Sequence, residues 1–385
     1  MKSLSIMIKP TSSLCNLQCT YCFYSNIADS RQQANFGLMS LETAKALIDN
    51  IFCLPLNYVS FGFQGGEPTL VGLDFYKFFV EEISKKSRKV PKLNIRYAFQ
   101  TNGLLLDENW LQFFRKHKFL VGLSVDGDAQ LHNANRLDKQ GKSTHSKVIS
   151  KKKLLDLHKV DYNILCVLTK ETSRRANRIW DFILRENIEY IQFIPCLESL
   201  ETADFTDFTD LSHKTATNFA ALTSEKFYRF YADLFPLWKK SAENGHFVHI
   251  QLFEDLATLM LSNYPVTCGM CGNCTTQIVA EADGSVFPCD FYALDAYKMG
   301  NLAKQPITEI IANIDNSGFL ASTTIKPKCN GCNYLKWCNG GCKRMQKAVY
   351  GENGENGENC GMKSFLDAFL ADLLAVYRRI IEQNA

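Results

Sequence analysis

The sequence predicts an α/β fold built on a parallel β-sheet, open or curved into a barrel, followed by a small cysteine-rich domain. Two observations lead to this prediction. Over the first 200 residues, short apolar runs alternate six times with longer helical patterns, as in parallel strands joined by right-handed crossovers. Nine of the 15 cysteines then fall between Cys268 and Cys360, among short turns. Metal ligation rather than a large core typically holds such a segment together.

Composition narrows the class of protein. The chain has 385 residues, 46% hydrophobic and 22% charged, with a net charge of +3. These values are typical of a globular protein and give no basic surface for nucleic acid. No apolar stretch is long enough for a membrane span, and Lys9-Pro10 interrupts the N-terminal apolar run before a signal peptide could form. We therefore expect a cytoplasmic protein, whose cysteines serve metal or redox roles rather than disulfides.

The six predicted strands are rich in Val, Ile, Phe and Tyr and lack clean alternation, which favours parallel strands buried on both faces. They are Leu4–Pro10, Tyr58–Gln64, Ile95–Gln100, Leu120–Asp126, Asp161–Leu168 and Tyr190–Pro195.

Helical patterns separate and follow these strands. Ser40 can cap a helix that places Ala44, Leu47, Ile48 and Ile51 on one face, and similar patterns cover 73–84, 108–117 and 223–242. The acidic segment 198–210 is predicted to be a solvated loop, and the Gly-Glu-Asn repeat at 351–359 a surface loop. The chain ends in an amphipathic helix predicted to pack on the barrel through Leu366, Phe369, Leu370, Leu373, Leu374, Tyr377, Ile380 and Ile381.

Polar motifs follow several strands at the point where each strand ends. They are Gln64-Gly65-Gly66-Glu67-Pro68, Gln100-Thr101-Asn102-Gly103 and Ser124-Val125-Asp126-Gly127. Any one of them is explained by a turn, since Gly, Asn and Asp are turn residues. Several in succession favour a site at the carboxyl ends of the strands, where barrel enzymes place their catalytic groups.

The first cysteine group has the spacing C-x3-C-x2-C and contains Cys15, Cys19 and Cys22. Three thiolates on one tight loop can reach a single metal centre, and three is one short of the usual four for a [4Fe–4S] cluster. One iron then keeps an open position, as in catalytic metal sites. The alternative, three unrelated thiols, requires this triplet to have arisen by chance.

This spacing resembles the signature of the radical S-adenosylmethionine (SAM) superfamily. The resemblance implies a partial (β/α)6 barrel in which the open iron binds SAM, and one electron splits SAM into a 5′-deoxyadenosyl radical. Gly65-Gly66-Glu67-Pro68 matches the motif that holds the SAM aminium. Gln64 and Ser124 match positions that line the same pocket, and Arg136 is implied to face the SAM carboxylate.

The later cysteines resemble the SPASM extension of radical SAM modifying enzymes, which holds two auxiliary [4Fe–4S] clusters. By this resemblance the first auxiliary cluster takes Cys268, Cys274, Cys289 and Cys342, and the second takes Cys329, Cys332, Cys338 and Cys360. Cys271 is extra, and it could replace Cys268 or Cys274. With four thiolates per cluster, electron transfer is the expected task, and a structural role is the alternative. The implied domains are 1–235 for the barrel, 236–362 for SPASM and 363–385 for the final helix.

The whole chain is most similar to anaerobic sulfatase-maturating enzymes. Such enzymes oxidise a Cys or Ser of a target sulfatase to Cα-formylglycine. The resemblance implies that Asp290 is the base and that Tyr24 contacts the substrate peptide, which has a Cys/Ser-x-Pro-x-Arg motif. A flavodoxin- or ferredoxin-like donor and a monomeric enzyme are also implied. The resemblance rests on segments at Ile8-Lys9-Pro10, 15–24, 63–70, 100–103, 121–124 and 284–292.

Two alternatives remain open at this stage. A maturase of ribosomally made peptides that forms thioether or carbon–carbon crosslinks would share both cysteine arrays. A non-enzymatic zinc or iron–sulfur interaction protein would not need a triplet that lacks a fourth ligand. The remaining cysteines, Cys53, Cys166 and Cys196, are interpreted as small buried hydrophobic residues, with Cys196 near enough to the end of a strand to face the site.

Overall fold

The computed structural model describes residues 2–200, 220–271, 274, 277–313, 319–320, 329–351 and 360–384. The strands are β1 Ser3–Ile8, β2 Tyr58–Phe63, β3 Asn94–Thr101, β4 Phe119–Ser124, β5 Tyr162–Leu168, β6 Tyr190–Pro195, β7 His249–Ile250, β8 Ile278–Ala280, β9 Ser285–Phe287 and β10 Gly300–Asn301. The helices are α1 Phe23–Asp29, α2 Leu41–Phe52, α3 Leu73–Ser87, α4 Glu108–His117, α5 Ala129–Asn133, α6 His145–His158, α7 Ala176–Arg185, α8 Ser224–Glu243, α9 Gln251–Ser262, α10 Ile307–Ala312, α11 Leu335–Cys338 and α12 Gly361–Asn384.

The strands of the described part form one sheet in the order β10-β9-β8-β1-β2-β3-β4-β5-β6-β7. Strands β1 to β7 pair in parallel with their neighbours, for example Ile8 opposite Phe63 and Leu123 opposite Ile164. The sheet is not closed, since β10 and β7 stand at its two ends. This is the open, partial barrel that the sequence predicts, and each of the six predicted strands is present with small shifts of its ends.

The predicted helices cover the sheet as expected from their apolar faces. Ser40 caps α2, its hydroxyl accepting a hydrogen bond from the Thr43 amide at 3.1 Å, and the predicted face of α2 is completely buried. Between β2, β3 and the helices lies an aromatic core, in which Phe63 packs edge-on against Tyr76 and Phe79 at 5.0 and 5.1 Å. Strands covered in this way place their carboxyl ends on one rim.

The cysteine-rich segment contains buried β-structure that the sequence does not predict. Strands β8 and β9 form a hairpin with fully buried side chains, and β8 pairs in parallel with β1. The segment therefore extends the barrel sheet and shares its core. The local signal was Asp283-Gly284, a hairpin turn in which Gly284 has φ +85°. Three-residue strands are too short for their periodicity to reveal them.

Helix α12 packs on α8, with Phe365, Leu366 and Leu373 buried. The prediction is wrong at Ile381, which is 56% exposed because the last turn of the helix projects into solvent. The domain boundary expected at residue 235 lies inside α8, so this helix serves both parts of the chain. The acidic residues 201–210 and the repeat residues 352–359 lie outside the described residues.

Over the described residues, no helix is both long and apolar enough to cross a membrane.

Candidate active site

The first cysteine loop and the ends of the strands line one cavity of about 140 Å³. Cys15, Cys19 and Cys22 line it together. The residues that the sequence assigns to SAM and to substrate also line it, namely Tyr24, Gln64, Gly65, Gly66, Glu67, Ser124 and Arg136. Asp290 does not line this cavity, but its carboxylate accepts a hydrogen bond from Gln64, which does. The structure therefore brings the predicted site residues together.

Gly66, the second glycine after β2, allows the loop after β2 to pack against the first cysteine loop. The Gly66 amide donates to the Ser12 carbonyl at 2.8 Å, and the Glu67 amide donates to the Leu14 carbonyl at 2.7 Å. A Cβ atom on Gly66 would lie 1.9 Å from the Leu14 carbonyl oxygen. Glycine is thus required because the loop after β2 lies against the backbone of the cysteine loop.

Glu67 is buried and its carboxylate accepts four hydrogen bonds. They come from the Thr69 amide at 3.0 Å, the Thr69 hydroxyl at 2.7 Å, the Thr101 hydroxyl at 2.8 Å and the Asn102 amide at 2.8 Å. Burial raises the pKa of Glu67, and these donors oppose the rise. The carboxylate thus ties the end of β2 to the end of β3. Asn102 in turn donates to the Asn16 side chain at 2.7 Å, next to Cys15.

Asp126 links three parts of the site. Its carboxylate accepts from Nε of Arg136 at 3.0 Å, from the Tyr21 hydroxyl and from the Val167 amide at 2.9 Å. Arg136 therefore has a carboxylate partner within the protein, and its guanidinium also lies beside Cys19. Burial raises the pKa of the Cys19 thiol to about 11, and the Arg136 charge opposes that rise. Arg136 can therefore stabilise a Cys19 thiolate.

His132 holds Asp126 and Arg136 in place from behind. Its Nδ1 accepts from the Asp126 amide at 3.3 Å, and its Nε2 lies 3.0 Å from the Thr144 hydroxyl. That hydroxyl donates to the Arg136 carbonyl at 2.6 Å, so Nε2 carries the proton and donates to Thr144. Burial, followed by the Arg136 charge, lowers the pKa of His132 to about 3. The neutral ring is therefore part of the folded state.

This depressed pKa predicts a pH dependence of stability. The unfolded chain binds a proton at His132 below pH 6.5, whereas the folded chain does not until about pH 3. The stability contributed by the neutral ring is thus complete above pH 6.5 and is lost as the pH falls. Between pH 7 and pH 5 we expect a loss of about 2 kcal/mol from this residue. Denaturant unfolding of the wild type and of His132→Gln at both pH values measures it. Equal pH dependence in the two proteins would contradict the assignment.

Asp290 pairs with a lysine that is completely buried. Lys9 Nζ lies 2.5 Å from Asp290 Oδ1, with 0% and 9% of the two side chains exposed. Gln64 Nε2 donates to Asp290 Oδ2 at 3.0 Å, and the Lys9 ammonium stands 3.8 Å above the Tyr24 ring. The carboxylate is thus fixed through both oxygens, next to the cavity and beside the aromatic residue assigned to the substrate.

The hydroxyl of Tyr24 is hydrogen-bonded to a buried carboxylate, away from Lys9. It donates to Glu281, which also pairs with Arg31 at 2.7 Å, and the Arg31 and Glu281 side chains are fully buried. Burial, followed by the Glu281 charge, raises the pKa of Tyr24 well above 10. Glu281 follows β8 and Arg31 follows α1, so this group joins the cysteine loop to the C-terminal hairpin.

The Lys9–Asp290 pair predicts a double-mutant result. Lys9→Met leaves a buried carboxylate without its cation, and we expect a loss of about 3–5 kcal/mol in the free energy of unfolding. Adding Asp290→Asn should recover part of this loss. The exposed pair Lys45–Asp49 is the control, and Lys45→Met should change stability by about 0.5 kcal/mol. The pairing would be refuted if Lys9→Met and the double variant were equally unstable. Denaturant unfolding followed by fluorescence is the measurement.

The later cysteines form two separate groups. Cys268, Cys274, Cys289 and Cys342 line a second cavity of about 260 Å³. Cys271 is absent from that lining, and its thiol lies 3.4 Å from the Thr267 carbonyl, to which it donates. Burial, together with the charges of the neighbouring Cys360, Cys332 and Cys329 thiols, raises the pKa of Cys338 to about 11. The first group thus lines one cavity, and the thiols of the second lie close enough to Cys338 to act on its charge.

Phe291 and Pro195 line both cavities, so only a thin layer of side chains separates the first cavity from the second. The Phe291 ring packs edge-on against Phe23 at 5.2 Å. Phe23 follows Cys22, and Phe291 lies two residues after Cys289. A short aromatic contact thus connects the first cysteine loop with a cysteine of the second cavity.

These thiols suit clusters better than single ions. In the described part of the chain, no group of three or more His, Cys, Asp and Glu side chains could hold one metal ion. Ligands of a [4Fe–4S] cluster surround several metal and sulfide atoms, so their thiols stand further apart than those of a mononuclear site. A triplet and a quartet of cysteines that each line a cavity fit this donor set.

Sequence reasoning missed several residues that organise the site. Lys9 belongs to a segment that carries the family resemblance, but the sequence gives it no role in the site, although a lysine at the end of a buried strand is itself a signal. His132 gives no periodic signal, and Asp126 lies in one of the motifs that favour a site but has no role of its own in the sequence-based prediction. Among the remaining cysteines, Cys166 and Cys196 are buried and Cys196 lines the first cavity, as anticipated. Cys53 is exposed at the end of α2, because the capping position faces solvent.

Comparison with known proteins agrees with this geometry. The family model of the radical SAM superfamily matches residues 10–176, and the SPASM iron–sulfur cluster-binding domain matches residues 268–333. The chain is 37% identical to a cysteine-type anaerobic sulfatase-maturating enzyme of Clostridium novyi, covering 96% of this chain and 95% of the relative. It is 30% identical to a serine-type anaerobic sulfatase-maturating enzyme of Bacteroides thetaiotaomicron, covering 92% and 86%.

A solved structure of native anSMEcpe with bound AdoMet and a Cp18Cys peptide is also similar. It superimposes with a TM-score of 0.85 at 36% identity, covering 98% of this chain and 99% of that chain. Fold and domains thus define a radical SAM enzyme with a SPASM domain that binds iron–sulfur clusters. Within that class, the chain belongs to the anaerobic sulfatase-maturating enzymes.

Proposed function

We propose that this enzyme oxidises a cysteine or serine side chain of a target sulfatase to Cα-formylglycine. The observation that supports it most is the Asp290 carboxylate. It is held by Lys9 and Gln64 beside the cavity of the first cysteine loop, and it directly follows a cysteine of the second cavity. Family membership favours this reaction over peptide crosslinking, and the radical SAM match argues against a non-enzymatic zinc protein.

In this proposal three [4Fe–4S] clusters are bound. Cys15, Cys19 and Cys22 hold the cluster that binds SAM. Cys268, Cys274, Cys289 and Cys342 hold the first auxiliary cluster, and Cys329, Cys332, Cys338 and Cys360 hold the second. When bound, these groups supply a 5′-deoxyadenosyl radical that takes a hydrogen atom from the substrate Cβ, and an acceptor for one electron. Gln64, Gly65, Gly66, Glu67, Ser124 and Arg136 surround SAM.

The residues of the chain orient the substrate and move its proton. Asp290 Oδ2 takes one hydrogen bond from Gln64, and a second lone pair remains to accept the substrate thiol or hydroxyl proton. Lys9 fixes the other oxygen, so the carboxylate cannot turn away. Tyr24 offers its ring to the peptide while Glu281 holds its hydroxyl. Together these contacts support the proposal that Asp290 is the base that acts on one side chain of the bound peptide.

Arg136 and Glu67, the proposed partners of SAM, also hold the protein around the pocket together. Both are engaged within the protein, Arg136 with Asp126 and Glu67 with Thr69, Thr101 and Asn102. Their interaction with the SAM carboxylate and aminium would add to these contacts. Each residue would thereby hold the SAM pocket in a fixed position relative to the cysteine loop.

A cysteine is the favoured target, because the cysteine-type relative shares 37% of its residues with this chain and the serine-type relative 30%. We further propose that the enzyme acts as a monomer in the cytoplasm. A flavodoxin- or ferredoxin-like protein would supply the electron for each SAM cleavage. The target would carry a Cys/Ser-x-Pro-x-Arg motif.

Anaerobic incubation of the reconstituted enzyme with SAM and two matched peptides tests the proposal. The peptides differ only in having Cys or Ser before x-Pro-x-Arg, and mass spectrometry reads the product. Formylglycine from serine lacks two hydrogen atoms, whereas formylglycine from cysteine also has oxygen in place of sulfur. We expect the cysteine peptide to react faster. A crosslinked peptide that lacks only hydrogen and does not react with an aldehyde reagent would contradict the proposed reaction.

A further inference from the structure

The side chain of Lys343 occupies a cage of three aromatic rings in the C-terminal domain. Its ammonium lies 4.1 Å from the centre of the Phe319 ring, 4.3 Å from that of Tyr292 and 5.7 Å from that of Tyr297. All three rings are at least 96% buried. They contact one another edge-on, with centres 5.4 to 6.0 Å apart. The cage therefore exists as a rigid unit around the lysine.

Lys343 and Tyr292 of this cage are each adjacent to a cysteine that lines the second cavity. Lys343 directly follows Cys342, and Tyr292 closes a turn in which its amide donates to the Cys289 carbonyl at 3.2 Å. Cys289, Cys342, Lys343, Tyr292 and Phe319 line the same cavity. The ammonium–ring contact thus connects the segment that contains Cys342 with the segment that contains Cys289.

We infer that the aromatic cage around Lys343 positions Cys342 and Cys289 as ligands of the first auxiliary cluster. Lys343 is a positioning residue, since it acts through its neighbour Cys342. A cation is suited to this task because a cluster with four thiolates is an anion, so its field attracts the ammonium towards the cavity wall. The inference rests on the ligand set given under the proposed function.

The contact requires both the positive charge and the ring faces. Lys343→Met keeps most of the length and the apolar surface and removes the charge. Lys343→Arg keeps the charge. Phe319→Leu keeps an apolar side chain and removes the nearest ring. The control is Lys304→Met, the same change at an exposed lysine of the same domain.

The test is iron release from the anaerobic holoenzyme to a chelator. Adding SAM changes the electron paramagnetic resonance signal of the SAM-binding cluster alone. The signals that SAM leaves unchanged are therefore assigned to the auxiliary clusters and used to measure their loss. We expect Lys343→Met and Phe319→Leu to lose auxiliary-cluster signal at least about tenfold faster than the wild type. The double variant should lose it no faster than either single variant. Lys343→Arg and Lys304→Met should resemble the wild type.

Three outcomes would overturn the inference. If Lys343→Met and Lys304→Met release iron equally slowly, the cage does not hold the ligand. If Lys343→Arg is as labile as Lys343→Met, packing rather than charge is responsible. If Lys343→Met fails to fold, Phe319→Leu alone decides, and a stable auxiliary signal in it refutes the role of the cage. A wild type that holds only the SAM-binding cluster would refute the proposed function as well.

Discussion

Replacing Cys15, Cys19 and Cys22 together by alanine is expected to reduce 5′-deoxyadenosine formation to the level without enzyme. The three thiols line one cavity with the glycine loop after β2, and they are the proposed ligands of the cluster that cleaves SAM. An iron with a free coordination position needs these three thiolates and no others. The variant should therefore lose only the SAM-binding cluster, and liquid chromatography of 5′-deoxyadenosine gives the measurement.

Two single cysteine variants serve as controls for this result. Cys53 is exposed at the end of α2 and Cys271 lies outside the lining of the second cavity. Cys53→Ala and Cys271→Ala should both retain SAM cleavage and the full iron content of about twelve per chain. If the triple variant still cleaved SAM, the cluster would have to be held elsewhere. If Cys271→Ala lost iron, the first auxiliary ligand set would need Cys271 in place of Cys268 or Cys274.

The second large effect is expected for Asp290→Asn. The amide keeps the shape of the side chain and can still accept from Lys9 or Gln64, but it cannot take a proton. We therefore expect SAM cleavage to continue while aldehyde formation falls by about 10²- to 10⁴-fold, the usual loss when a general base is removed. Counting 5′-deoxyadenosine and aldehyde in the same reaction measures this uncoupling.

Asp295→Asn is the matched control for Asp290→Asn. Asp295 lies five residues further along the same segment and accepts from the Gln32 amide at 2.7 Å, outside the lining of either cavity. Its variant should form aldehyde at a rate within about threefold of the wild type. Full aldehyde formation in Asp290→Asn would remove the proposed base. Loss of both products would instead show that Asp290 is needed to assemble the site.

The sheet was predictable because each parallel strand is a continuous apolar run bounded by turn residues. Strands at Tyr58–Phe63 and Tyr190–Pro195 could be read from their own composition. The hairpin β8–β9 could not, since its three-residue strands are stable only beside β1, which precedes them by about 270 residues. The local sequence pattern cannot predict a pairing between strands so far apart in the chain.

The cysteine groups were predictable from spacing, because ligands on one loop keep their distance along the chain. The polar contacts around them were not. Lys9 and Asp290 meet across 281 positions, and His132 supports Asp126 through a backbone amide. Within its own segment, none of these four residues stands in a pattern that predicts its partner. Only folding shows that Glu67 faces inward and that Gly66 lies against the cysteine loop.

The most direct test of the account follows the hydrogen atom that leaves the substrate. A sulfatase-motif peptide with deuterium at Cβ of its cysteine is incubated anaerobically with the enzyme, SAM and a reductant. We predict one deuterium in each 5′-deoxyadenosine formed with the peptide, together with a peptide aldehyde. Unlabelled 5′-deoxyadenosine in the presence of aldehyde, or labelled 5′-deoxyadenosine with a crosslinked peptide, would contradict oxidation of that side chain in the cavity of the first cysteine loop.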